Sequence, residues 1–86
     1  MIQHVLRHFI TTTRTGKFKP TATPDEYKLK VYVGGGQSEK VATERALKEI
    51  EKFLPTQGYT YYTIVSSRYE FLPMTGYVFT VKFRRA

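Results

Sequence analysis

Cysteine is absent from the chain. That absence excludes disulfides, thiolate nucleophiles and cysteine-ligated zinc, and nothing else in the composition asks for an oxidising compartment. Long apolar runs are missing too. The N-terminal stretch Met-Ile-Gln-His-Val-Leu-Arg-His-Phe-Ile is broken by Arg7, which leaves it too short for a signal-peptide core or for the ~20 residues of a membrane span. The expectation is a soluble, cytoplasmic protein without membrane contact. Acids are scarce: seven Asp and Glu stand against fourteen Lys and Arg, for a formal net charge of +7. What the chain does have is aromatic and apolar material, 15% and 41% respectively. That is enough to bury a core, and 86 residues make one domain, 1–86, near the lower limit for a core without metal or cross-links.

The positive excess is unevenly placed. Ser38–Phe53 is neutral, with Glu39, Glu44, Glu49 and Glu51 against Lys40, Arg45, Lys48 and Lys52. Residues 1–24 hold Arg7, Arg14, Lys17 and Lys19 and no acid, while residues 55–86 hold Arg68, Lys82, Arg84 and Arg85 against Glu70 alone. The field therefore comes from the aromatic, β-prone ends. Basic charge mixed with Tyr and Phe suits a nucleic-acid surface, and it equally suits solvated charges around an ordinary core.

The clearest element is a helix over about 38–54. Ser38 is a capping residue, Glu39 suits the positive first turn, and Ala42, Thr43, Ala46, Leu47, Ile50, Phe53 and Leu54 fall on one face at 3.6 residues per turn. Pro55 and Gly58 stop it. Two segments alternate with period two: Tyr27, Leu29, Val31 and Val33 against Lys28, Lys30 and Tyr32, then Tyr77, Phe79, Val81 and Phe83 against Val78, Thr80, Lys82 and Arg84. Each reads as a strand with one buried face. Tyr59–Ser67, rich in Tyr, Thr, Ile and Val, is a third strand joined to the last through Pro73–Gly76; either Tyr62, Ile64 and Ser66 or Tyr61, Thr63 and Val65 face its core. Residues 2–12 carry apolar residues at helical spacing but run into three threonines, so strand and helix both stand, with strand favoured. Residues 14–25 read as a flexible basic loop broken by Gly16, Pro20 and Pro24.

These elements assemble as an α+β domain, a ββαββ antiparallel sheet with the amphipathic helix across one face. The opposite face then displays Lys28, Lys30, Tyr32, Thr80, Lys82 and Arg84, with Tyr61 or Tyr62 beside them. Such a platform holds phosphates with its cations and stacks unpaired bases on its rings. The expected contact residues are Lys17, Lys19, Lys28, Lys30, Tyr32, Tyr61, Lys82 and Arg84, the first two closing over the backbone from the loop. The function expected is non-enzymatic binding of RNA or single-stranded DNA, because the neutral helix offers no basic recognition surface for duplex. The alternative is a protein-interaction module, either a homodimer or an accessory or inhibitory protein covering an acidic partner, since exposed tyrosines and sheet edges also serve that end.

Other features are weaker. Gly34-Gly35-Gly36 leads into a helix N-terminus, where an anion is favoured, but lacks the Lys-Ser/Thr of a P-loop and the spacing of a dinucleotide fingerprint. The fourteen residues Gly34–Leu47 resemble the lead-in to the last helix of double-stranded-RNA-binding domains in their glycines, Ser38, Lys40, Ala42 and Ala46. Glu39 and Thr43 depart from that family at basic positions, and strand-like segments follow a helix that closes the domain there, so the likeness is one of helix capping. His4 and His8 share a face with no third ligand nearby in sequence. Ser66, Ser67, Asp25 and Glu70 show no Ser/His/acid spacing. No metal, cofactor or catalysis is expected.

Overall fold

The alternating segments become the two inner strands of the sheet. In the computed structural model, which describes residues 14–33, 38–72 and 74–86, the order is β1 (Arg14–Thr15), β2 (Lys19–Pro20), β3 (Glu26–Tyr32), α1 (Glu39–Thr56), β4 (Tyr61–Glu70) and β5 (Gly76–Arg84). The expectations for residues 2–12, for His4 and His8, and for Gly34–Gly36 lie outside the described residues. All pairings are antiparallel, β3 with β5 from Glu26↔Lys82 to Tyr32↔Gly76 and β4 with β5 from Tyr61↔Arg84 to Glu70↔Gly76. The sheet order is β1-β3-β5-β4, and β2 also pairs with β3. The α+β, ββαββ-like arrangement expected from the sequence is the one found: among the described residues, one small domain holds five strands and one helix.

The free edge of β3 is covered by β1 and β2 together. Arg14↔Tyr32 and Thr15↔Val31 precede Lys19↔Lys28 and Pro20↔Tyr27, and Gly16 N donates to Lys30 O at 2.8 Å in between. Four steps along this edge match three along β3, so one residue is extra and the edge is bulged. The segment expected as a loop over 14–25 thus contains two short ladders. A ladder uses only backbone N–H and C=O groups, and an edge tolerates Pro20 because its missing donor faces away from the sheet.

The core lies between the sheet and α1. Leu29, Val31, Val33, Phe79, Val81 and Phe83 are buried beneath Ala42, Ala46 and Ile50, spaced four apart so that they form one stripe. The two alanines let the helix approach closely, and Ile50, with no exposed surface, plugs the centre. Leu47 is only half-buried, so the contact centres on Ala46 and Ile50 rather than on Leu47. At one end of the sheet Phe18 stacks on Phe53 at 4.2 Å and Tyr59 on Phe83 at 5.0 Å, with Tyr27 edge-on among them.

The helix stops where its carbonyls find other donors. Gly58, at φ 72, occupies the left-handed position that L side chains avoid, Gly58 N donates to Pro55 O at 3.3 Å, and Tyr59 N donates to Leu54 O at 3.0 Å. This is the paired closure of a Schellman motif. Asp25, also left-handed at φ 60, turns the chain into β3 and accepts a hydrogen bond from the Tyr59 hydroxyl at 2.8 Å.

On β4 the choice of inward face changes along the strand. Tyr62 and Ile64 lie opposite Phe83 and Val81 and pack against the core. An irregularity between Ile64 and Ser66 then shifts the register, so that Ser67 and Tyr69 oppose Phe79 and Tyr77. Ser67 accordingly donates to Glu39 of the helix at 2.6 Å. Tyr61, Ser66, Arg68 and Glu70 point to the open side.

Candidate functional site

Residues two apart on a strand share a face, and the register decides what each one meets across it. On the open face Lys28 stands opposite Lys19 on one side and Thr80 on the other, and Thr80 in turn opposes Ser66. Lys30 stands opposite Val78, which opposes Arg68. Tyr32 faces Gly76, which faces Glu70. Gly76 is required there: a Cβ would lie 2.5 Å from Val31 O.

These rows line a concavity of about 470 Å³ walled by Gly16, Lys17, Lys19, Lys28, Lys30, Tyr32, Arg68 and Glu70 over Val78. A second hollow of about 380 Å³ shares Lys28, Arg68 and Val78 with it and continues past Ser66 to Thr80. Together they form one groove along the open face.

Five cations and one carboxylate line this groove. Glu70 accepts from Lys30 at 2.9 Å and lies 3.6 Å from Arg68. The hydrogen bond from Lys30 is the chief cause that holds the Glu70 carboxyl below the ordinary carboxylate range; the charges of Lys30, Arg68 and Lys28 act the same way, while desolvation opposes them. Lys30 is the best held of the bases. Its ammonium sits 5.3 Å from the centre of the Tyr32 ring and donates to Leu72 O at 3.4 Å. Lys17, Lys19 and Lys28 have no carboxylate within 4.0 Å among the described residues. Like charges directly opposed on a sheet destabilise it, so the Lys19↔Lys28 pair has only the longer-range charge of Glu70 to offset it among the described residues.

Of the expected contact residues, Lys17, Lys19, Lys28, Lys30 and Tyr32 are brought together in the groove. Tyr61, Lys82 and Arg84 are not. Tyr61 and Arg84 oppose each other at the far end of the sheet, about 13 Å beyond the Lys28 row at the usual rise per strand residue. Lys82 lies between and donates to Pro24 O. Arg68 and Glu70 line the groove without being among the contact residues expected from the sequence. Their spacing around Tyr69 was the available signal, since two charges flanking an aromatic at period two mark an outward face. Ser67 and Asp25 are committed to the contacts with Glu39 and Tyr59.

The far end of the sheet is a clasp rather than a cavity. Tyr59 donates to Asp25, lies 3.4 Å from the Tyr27 hydroxyl, and carries the Arg85 guanidinium 4.4 Å above its ring. The hydrogen bond with Tyr27, then burial and Asp25, push the Tyr59 phenol well above its usual range. No helix among the described residues is long and apolar enough to cross a membrane.

Compared with protein-family models, curated proteins and solved structures, the chain matches none.

Proposed function

We propose that the protein is a non-enzymatic binder of single-stranded nucleic acid, RNA or DNA, with the groove on the open sheet face taking the sugar-phosphate backbone. The observation that carries this reading is the Lys19↔Lys28 pair, two bases that the fold opposes and that, with Lys17, meet no carboxylate within 4.0 Å among the described residues, beside Lys30 and Arg68, which share the single carboxylate of Glu70. A linear polyanion supplies the missing charge along the whole groove. Tyr32 at the groove's end and exposed Tyr61 beyond it offer ring faces to bases. Unpaired strands suit the site better than duplex, because α1 is charge-neutral and its apolar stripe is packed on the sheet, so no basic helix is free for a major groove. The cysteine-free composition fits the reducing cytoplasm.

Fluorescence anisotropy with a labelled single strand across a salt series tests the reading. Lys17, Lys19 and Lys28, which meet no carboxylate within 4.0 Å among the described residues, together with Arg68, whose contact with Glu70 is shared with Lys30, give an expected log–log salt slope of about −3. Binding that is flat with salt, or unchanged by Lys28→Glu with Arg68→Glu, overturns it.

One observation favours a protein partner instead. β4 is an outer strand, Tyr61–Ser67 carries no charge, and Tyr61, Val65 and Tyr69 are at least half-exposed along it. Such an edge is a template for an added strand. A pull-down from nuclease-treated lysate, with light scattering of the pure protein, separates this reading from the first.

A further inference from the structure

The hairpin beyond β4 exposes what a small domain ordinarily hides. Phe71, Leu72 and Met74 are 62%, 68% and 54% exposed, and none of them packs against the core cluster. Among the described residues the core is built without them, and large apolar side chains exposed close together point to a binding function. Their place is also defined. Lys30 donates to Glu70 and to the Leu72 carbonyl from the same ammonium, which ties the hairpin tip to the rim of the cationic groove.

Resting on the nucleic-acid reading above, we propose that Phe71, Leu72 and Met74 form an apolar wedge that enters between successive bases of the strand whose phosphates lie in the groove. Phe, Leu and Met are the side chains that open base steps in proteins known to unstack nucleic acid. Phosphates at Lys30 and Arg68 put the attached bases beside the tip, where an aromatic and two flexible aliphatic chains replace base-on-base contact. An anionic bilayer is the other surface that joins apolar and negative chemistry. It fits less well: the bases line a concave groove that runs back from the tip past Lys28 to Lys19 and Lys17, whereas a tip inserted ~5–10 Å into headgroups leaves most of them out of reach.

The test uses a single-stranded oligonucleotide carrying 2-aminopurine between adenines, whose emission rises when the base leaves its stack. The wild-type chain is compared with Phe71→Ser combined with Leu72→Ser, two changes on exposed positions that leave the core untouched. The wild type is expected to raise the emission. The double variant is expected to bind about tenfold more weakly, the order of one stacked base, with an unchanged salt slope and no rise in emission. Salt-dependent binding without any emission change in the wild type overturns the wedge and leaves the nucleic-acid reading intact. No salt-dependent binding to the oligonucleotide overturns both. In that case, co-sedimentation with phosphatidylserine-containing vesicles that the double variant loses assigns the tip to a lipid surface.

Discussion

Replacing Gly76 by alanine isolates a single close approach. Gly76 lies between Tyr32 and Glu70, and an added Cβ would stand 2.5 Å from Val31 O and 3.2 Å from Val31 C, where ordinary contact begins near 3.4 Å. Both atoms belong to the backbone of β3, so relief requires the two central strands to part by close to an ångström at the end of their ladder. Overpacking of this kind costs about 1–3 kcal/mol. Stiffening the unfolded chain by Gly→Ala returns only about 0.4–1 kcal/mol. Gly16 is the internal control: its Cβ would meet nothing nearer than 3.7 Å and its φ is not positive, so Gly16→Ala keeps the gain without the clash. Gly76→Ala is therefore expected to melt below the parent, and Gly16→Ala at or above it. At ~4–8 °C per kcal/mol for a domain of this size, the two variants separate by about 5–20 °C in a calorimetric or circular-dichroism melt. Coincident melts, or Gly76→Ala the more stable, would show that the strands do not approach as described.

Four further outcomes follow from the same structure. Ile50→Ala, at a site with no exposed surface, should cost about 2–5 kcal/mol in urea melts, whereas Lys48→Ala on the wet side of α1 should cost under about 0.5 kcal/mol; the reverse order would put the other face of the helix on the sheet. Glu70→Gln removes the one carboxylate that lines the groove among the described residues and should tighten oligonucleotide binding several-fold at low salt while steepening the salt slope by about one counterion. The same substitution abolishes the acid-side loss of stability that Glu70 contributes, because a lowered carboxyl pKa keeps its stabilisation above pH 4.5 and loses it as pH falls through the lowered value. At the other extreme, the raised Tyr59 phenol keeps a proton in the folded state that the unfolded chain releases near pH 10, so stability declines as pH rises above 10, and Tyr59→Phe should flatten that decline in pH-dependent melts.

Long periodic segments were legible in the sequence, and short or aperiodic ones were not. Seven or more alternating residues fix β3 and β5 because burial on one face dictates every second side chain, and α1 follows from its four-residue stripe together with Gly58. Two-residue ladders such as Arg14–Thr15 and Lys19–Pro20 leave no such trace, since their pairing is entirely backbone. The irregularity after Ile64 was equally invisible: Ser66 and Ser67 are polar either way, and neither tells which side of the sheet it takes. Arg68 was missed for that reason. Lys82 and Arg84 were correctly placed on the open face, but a period of two says nothing about position along the strand. Only the register with β3 and β4 separates them from the groove.

The shift within β4 amounts to a change of phase in a repeating signal. Before it, even-numbered side chains serve the helix; after it, odd-numbered ones do, and the register with β5 is carried through both halves. Excising Val65 alone would bring the strand back into step with itself, joining Ile64 to Ser66 in plain alternation and leaving Ser67 and Tyr69 on the helix side and Arg68 and Glu70 on the open side. What the extra residue does is absorb the phase change: a strand of this sequence paired in step through Val65 would set Arg68 opposite Tyr77 on the helix side, and the bulge is what keeps the charge of β4 on the open side.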